Sequence, residues 1–226
     1  MPFLTLSIKY FLILIGIAIM KHLSILITCL LCTGIGYSQT VQIQAGTTIT
    51  SLDWKLGSTI NLYEEPMIGY AVFAGLQYLD KRYFNLSSNI GMLRKGGKQE
   101  VTFQNEPGDP VEKKEERRFF DYISINTTLD VKYPVKERYI PYISIGPRYD
   151  YLVYHSPIGG LRDNNFGIIL GGGLKYNLSP ILIGLKAEYY HNFIKIAEWP
   201  AQYGNLGGSI NDQTMTLCLT LGYKLG

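Results

Sequence analysis

Four side chains of the 226-residue chain are of the types that nucleophilic hydrolysis uses: the adjacent pair His155-Ser156, then His191 and Glu198. A serine nucleophile needs a base within hydrogen-bond reach and a third group to orient that base. Neighbouring residues on a strand point to opposite faces, which works against His155 and Ser156 acting on each other. A second set is ionic: Asp130, Lys132, Arg148, Asp150, Lys175, Lys186, Glu188 and Lys224, each set between apolar neighbours. Charges so placed could serve as a selectivity filter, a proton path or a packed ion-pair network. Neither the three histidines nor Cys218, the one cysteine outside residues 1–38, offers metal-ligand spacing, so no metal is expected. Gly171-Gly172-Gly173 precedes no helical pattern, so it forms no phosphate cradle, and no cofactor is expected.

Composition narrows the classes. Hydrophobic residues make up 46% and charged residues 17%, against about 25% charged in ordinary globular domains. Such a chain buries too much apolar surface to be disordered. The formal charge is +3, and two of its bases, Lys9 and Lys21, lie in residues 1–38, which hold no acid. The remainder carries 19 bases against 18 acids, which gives no electrostatic case for nucleic acid.

The first 38 residues hold nearly all the continuous apolar sequence. The run Tyr10 to Ile19 is separated from Leu23 to Leu31 by Met20-Lys21-His22. Neither run reaches the roughly 20 residues a membrane helix needs, and one helix across both would bury Lys21 near its centre. From Met20 the chain reads as a charged start, an apolar run, and Gly36 and Ser38 at −3 and −1 before Gln39. We therefore expect 1–19 to be an upstream mis-start, 20–38 a cleaved signal peptide and 39–226 the exported domain. Cys29 and Cys32 fall inside the signal without a lipoprotein pattern. Cys218 is then the one cysteine of the mature chain, and no intramolecular disulfide forms.

From Gln39 on, alternation of period two recurs and helical periodicity does not. Eight strands are expected, at 40–52, 68–79, 83–94, 119–133, 139–154, 166–178, 181–195 and 213–225. Short turns at 80–82, 134–138 and 179–180 alternate with long links at 53–67, 95–118, 155–165 and 196–212. That alternation suits a barrel with short periplasmic turns and longer outer loops. The link 95–118 holds six bases and six acids and reads as a solvated loop or a binding loop. No boundary divides 39–226 into two domains.

The content of the two strand faces decides between a soluble and a membrane barrel. Ile123, Ile125, Leu129 and Val131 share one face of their strand, opposite Ser124, Asn126, Thr128, Asp130 and Lys132. Ile143, Ile145, Ile183, Leu185, Leu217 and Leu219 follow the same rule. The polar face is rich in Gly, Ser, Thr and Asn, which suit a narrow interior. The apolar face carries no charge at its centre, where a Lys or Arg would cost about 2–4 kcal/mol in a bilayer. Aromatics on that face sit near strand ends: Tyr70, Tyr78, Tyr133, Tyr139, Tyr149, Phe166, Tyr176, Tyr189 and Tyr223. A ten-residue spacing, as from Tyr139 to Tyr149, spans roughly 20–25 Å along a tilted strand. That is the height of an apolar band between two aromatic girdles. The expected fold is an all-β, eight-stranded antiparallel up-and-down transmembrane β-barrel. Pro147, lacking an N–H in mid-strand, implies a bulge or local break.

The signal, the eight alternating strands and the terminal TMTLCLTLGYKLG resemble the small outer-membrane β-barrels of Gram-negative bacteria, porin-like or OmpA/OmpX-like. The resemblance covers the whole of 39–226 but rests on patterns rather than fixed residues. One departure is the C-terminus, where Tyr223 is followed by Lys224-Leu225-Gly226 instead of closing on an aromatic residue. The resemblance implies a monomer integral to the cell outer membrane, in contact with its lipid and with the barrel insertion machinery. It implies a structural or surface-interaction role through the outer loops, with a ligand, if any, at 53–67 and 95–118. Eight strands leave an interior just wide enough for side chains, so the ionic set is expected to plug the lumen. A narrow passive pore is the alternative. A further alternative is a lipid A acyl-modifying enzyme, because some barrels of this kind carry His and Ser near the outer rim; the expectation here is no enzyme.

Overall fold

A computed structural model describes residues 39–57, 60–104, 110–136, 138–201 and 207–225. The expectations for 1–19 and 20–38 lie outside the described residues. Ten strands form one antiparallel sheet: β1 (Thr40–Leu56), β2 (Ile60–Leu62), β3 (Glu65–Tyr78), β4 (Phe84–Gln104), β5 (Pro110–Lys132), β6 (Tyr139–His155), β7 (Asn164–Leu178), β8 (Ile181–Asn192), β9 (Ala197–Trp199) and β10 (Gly208–Lys224). The eight long strands pair in chain order, and β1 pairs with β10 from Thr40↔Lys224 to Leu56↔Gly208. That last pairing closes the sheet into an eight-stranded ring and leaves no long edge exposed. The short strands β2 and β9 flank β1 and β10 at the loop end.

The faces sort as lipid requires. Ile143 is 67% exposed, Leu219 65% and Leu185 49%, whereas Arg148 is 2% exposed and Lys186 4%. Apolar side chains therefore cover the outside of the wall and ionic ones are enclosed. The outer aromatics form two levels. Tyr139 and Tyr176 stack at 5.0 Å near the turn end, and Tyr149 and Phe166 at 4.9 Å near the loop end. Tyr70 and Tyr189 lie at the loop-end level, and Tyr78, Tyr133 and Tyr223 at the turn-end level.

The long links differ from the expectation. Residues 95–104 and 110–118 are strand rather than loop, because β4 and β5 continue in unbroken register from Phe84↔Val131 to Phe103↔Glu112. Similarly, β1 runs on to Leu56 and turns back through β2, and β10 begins at Gly208. Cross-strand ion pairs support the extension: Lys98 lies 3.0 Å from Glu115 and 3.7 Å from Glu65. Pro147 interrupts the β5–β6 ladder beside Thr127 and Thr128, and the register resumes unchanged on both sides. The register shifts fall elsewhere: between Pro66 and Ala71 in β3, between Phe103 and Gln104 at the end of β4, and beside Asp121 at the β5–β6 pairing.

Candidate functional site: the filled lumen and its outer cap

Inward-facing positions on six strands place the ionic set, with Lys95 and Asp212 added, in two groups. Nearer the turn end, Asp130 on β5 accepts hydrogen bonds from Asn85 at 2.9 Å, Ser87 at 3.1 Å and Lys175 at 3.2 Å. Lys175 also donates to Gln77 at 2.9 Å and lies 4.5 Å from the ring centre of Tyr142. Lys186 and Glu188, two apart on β8, pair at 2.6 Å. Lys132 pairs with Asp80 of the first turn. Lys224 stands at the rim instead, donating to Asn177 at 3.0 Å.

Nearer the loop end, Lys95 on β4 reaches across the lumen to Asp150 on β6 and Asp212 on β10, 3.1 Å from each. Arg148 lies 2.9 Å from Asp150 and bonds to Asn192, which in turn donates to Asp212. Thr214 donates to the same carboxylate at 2.7 Å. Tyr190 lies beneath the Arg148 guanidinium at 4.6 Å, and Tyr122 5.1 Å from the Lys95 ammonium. Four enclosed bases (Lys95, Arg148, Lys175, Lys186) thus face four enclosed acids (Asp130, Asp150, Glu188, Asp212). Removing one partner of such a pair costs about 3–5 kcal/mol, because the other is left buried and uncompensated.

Glycine makes room for two of these groups. A Cβ on Gly167 would lie 2.2 Å from the His191 carbonyl and 2.9 Å from the Arg148 guanidinium. A Cβ on Gly173 would meet the Leu185 carbonyl at 2.2 Å and the Tyr142 hydroxyl at 2.9 Å.

Above the ionic groups the lumen is apolar. Leu52, Leu93, Phe120, Leu152, Ile169 and Ile210 are nearly or wholly buried. Ile196, Ala197, Leu161 and Trp199 from the connecting segments pack onto them. The outer end is therefore capped as well as filled. On the outer surface of this cap an open cleft of about 470 Å³ lies among Lys55, Lys195, Glu198, Trp199 and Ser209.

The four hydrolase-type residues are engaged separately. His155 is exposed and its Nδ1 lies 2.6 Å from the Ser156 carbonyl oxygen. Ser156 is buried, and its hydroxyl accepts from the Phe119 N–H at 3.1 Å. His191 packs edge-on against Phe193, and Glu198 pairs with Lys195 at 2.8 Å. Lys195 holds the Glu198 carboxyl below its ordinary range by hydrogen bonding and charge. Among the described residues, no three His, Cys, Asp or Glu side chains are grouped to hold a metal ion.

Lys95 and Asp212 lie just outside the strands expected at 83–94 and 213–225, within the extensions of β4 and β10. The parity of Leu93-Arg94-Lys95 and of Asp212-Gln213-Thr214 was the available signal. Outside the wall, Arg94 forms a two-pronged bond to Asp121 at 2.7 and 2.8 Å and lies 4.3 Å over Phe119.

No family model matches the sequence, and no curated protein matches it. Solved structures do. The outer membrane protein OprG from Pseudomonas aeruginosa is 12% identical, with 83% of this chain and 96% of that chain covered, at a TM-score of 0.50. Neisserial surface protein A is 12% identical over 82% of this chain and 96% of its own, at 0.48. Ail of Yersinia pestis, solved with the heparin analogue sucrose octasulfate, is 15% identical over 84% of this chain and all of its own, at 0.43. With its ring of eight strands, apolar outer wall and enclosed charges, this chain has the fold of the small outer-membrane β-barrels and is integral to that membrane.

Proposed function

We propose that this protein acts at the cell surface as a closed barrel, engaging a partner through its outer end and passing no solute through its lumen. The observation that carries this reading is the β4–β5 hairpin, which holds its register well beyond the loop-end aromatic level, above a filled and capped lumen. Polar contacts on both of its faces keep the projection ordered: Lys98 pairs with Glu115 across the ladder on one, and Arg118 bonds to Tyr63 of the β2–β3 link and to Glu116 of its own strand on the other. An ordered projection presents a surface at low entropic cost, which favours recognition.

The test is to shorten the hairpin by replacing residues 98–117 with a two-residue turn. Cells carrying the full-length or shortened barrel are then compared for attachment to mammalian cells and for self-aggregation. Reduced attachment or aggregation with unchanged membrane insertion is the expected result; no difference overturns the reading. Purified protein is expected to leave planar bilayers silent, and stepwise conductance would favour a pore. The separate engagement of His155, Ser156, His191 and Glu198 supports a role without acyl chemistry. Acyl loss from lipid A on incubation with the purified barrel, abolished by His155→Ala, would reverse that.

A further inference from the structure

The two ends of the molecule differ in charge. Among the described residues, the loop-end segments 53–57, 60–66, 94–104 (Lys95 apart), 110–121, 151–163, 193–201 and 207–211 hold nine bases and ten acids. The enclosed lumen charges balance. Among the described residues, the turn end holds six bases, Lys81, Arg82, Lys132, Lys136, Arg138 and Lys224, against one acid, Asp80. Lys132 occupies Asp80.

Short hydrogen bonds draw these cations onto one rim. The Tyr83 carbonyl accepts from the Lys132 N–H at 2.8 Å, joining the 79–83 turn to the end of β5. The Arg138 carbonyl accepts from the Asn177 N–H at 2.8 Å, joining the next turn to β7. The Asn177 side chain accepts from Lys224. Beside the cations stands the turn-end aromatic level, with Tyr133 69% exposed and Tyr83 53%. The Arg82 guanidinium lies 5.3 Å over the Tyr83 ring. Aromatic rings seat at the headgroup level of a bilayer. Long basic side chains beside them extend outward to the phosphates.

We propose that the turn end is a binding rim for anionic phospholipid, with Arg82, Lys136 and Arg138 on the phosphodiester. It lies at the opposite end of the barrel from the surface engaged in the proposed function and stands independently of it. In its short-turn geometry this end faces the periplasmic leaflet.

The test uses the purified barrel in phosphatidylcholine nanodiscs doped with phosphatidylglycerol, with native mass spectrometry counting the lipids retained. The protein is expected to enrich phosphatidylglycerol. The variant R82Q/K136Q/R138Q loses that enrichment, by about fivefold per cation removed, and the loop-end variant K113Q/K114Q keeps it. Enrichment undiminished in the turn-end variant, or lost equally in the loop-end one, overturns the proposal. So does equal retention of inorganic phosphate by the detergent-solubilised protein, which would mark a free-anion site. Raising salt on the unaltered protein gives a second reading free of any folding defect, because exposed charges are screened. Salt-insensitive enrichment also overturns the proposal.

Discussion

At the turn end the strands stop as soon as the aromatic level is reached, and the exposed charges there are mostly of one sign. At the loop end the strands run past that level, and their charges are paired with one another across the ladder. A bilayer supplies counter-groups to what it touches, so the turn rim needs few internal partners. A projection into water must be self-sufficient, so its register is carried by pairs such as Lys98–Glu115 and Lys113–Glu100. Between the two ends the lumen follows a third rule: every enclosed charge has an enclosed opposite.

This contrast can be broken by substitution. The largest effect is expected from Lys95→Ala, which strands Asp150 and Asp212 in the lumen and should lower unfolding free energy by about 3–5 kcal/mol. Lys224→Ala, at the open rim, should change it far less. Urea-induced unfolding of the reconstituted barrel measures both, and equal losses would erase the distinction between lumen and rim. Next, Phe120→Ala in the apolar cap should cost about 3–5 kcal/mol by leaving a cavity. Leu219→Ala, whose side chain faces lipid, should cost less than half as much in the same assay. Shortening the hairpin at 98–117 should leave the unfolding midpoint of the wall nearly unchanged, since exposed ion pairs contribute little. A large drop would make the hairpin part of the barrel's core stability.

The smallest effect concerns acid. Glu115 is held below the ordinary carboxylate range by hydrogen bonds from Lys98 and Arg117. Its folded pKa is depressed, so its contribution is present above the unfolded value and is lost as pH falls through the folded one. Protection factors of the hairpin amides, corrected for intrinsic exchange, should therefore fall at pH below the ordinary carboxylate range while those of the wall hold. A uniform fall would place the hairpin and the wall in a single cooperative unit.

The wall was legible in the sequence because lipid on one side and a narrow enclosure on the other enforce a period of two. Ile143-Ser144-Ile145-Gly146 announces both faces at once. Beyond the aromatic level lipid no longer enforces one apolar face, the alternation fades, and Gly96-Gly97-Lys98-Gln99-Glu100 reads as a loop although it is strand. That cut-off also hid Lys95 and Asp212, the cross-lumen partners. The cap was illegible for a different reason. Ile169 and Leu152 sit on lumen faces otherwise polar, and only the folding of distant segments such as Ile196-Ala197 over them gives those apolar residues a place.

The seam between β1 and β10 joins Thr40 to Lys224, residues separated by almost the whole barrel-forming segment. Each neighbouring hairpin can zip as soon as its second strand arrives, but the seam must wait for the final strand. Until then two unsatisfied strand edges face the surroundings, the condition under which chains pair with strangers. Shielding those two edges until the circle is complete would keep the unfinished sheet from such pairing.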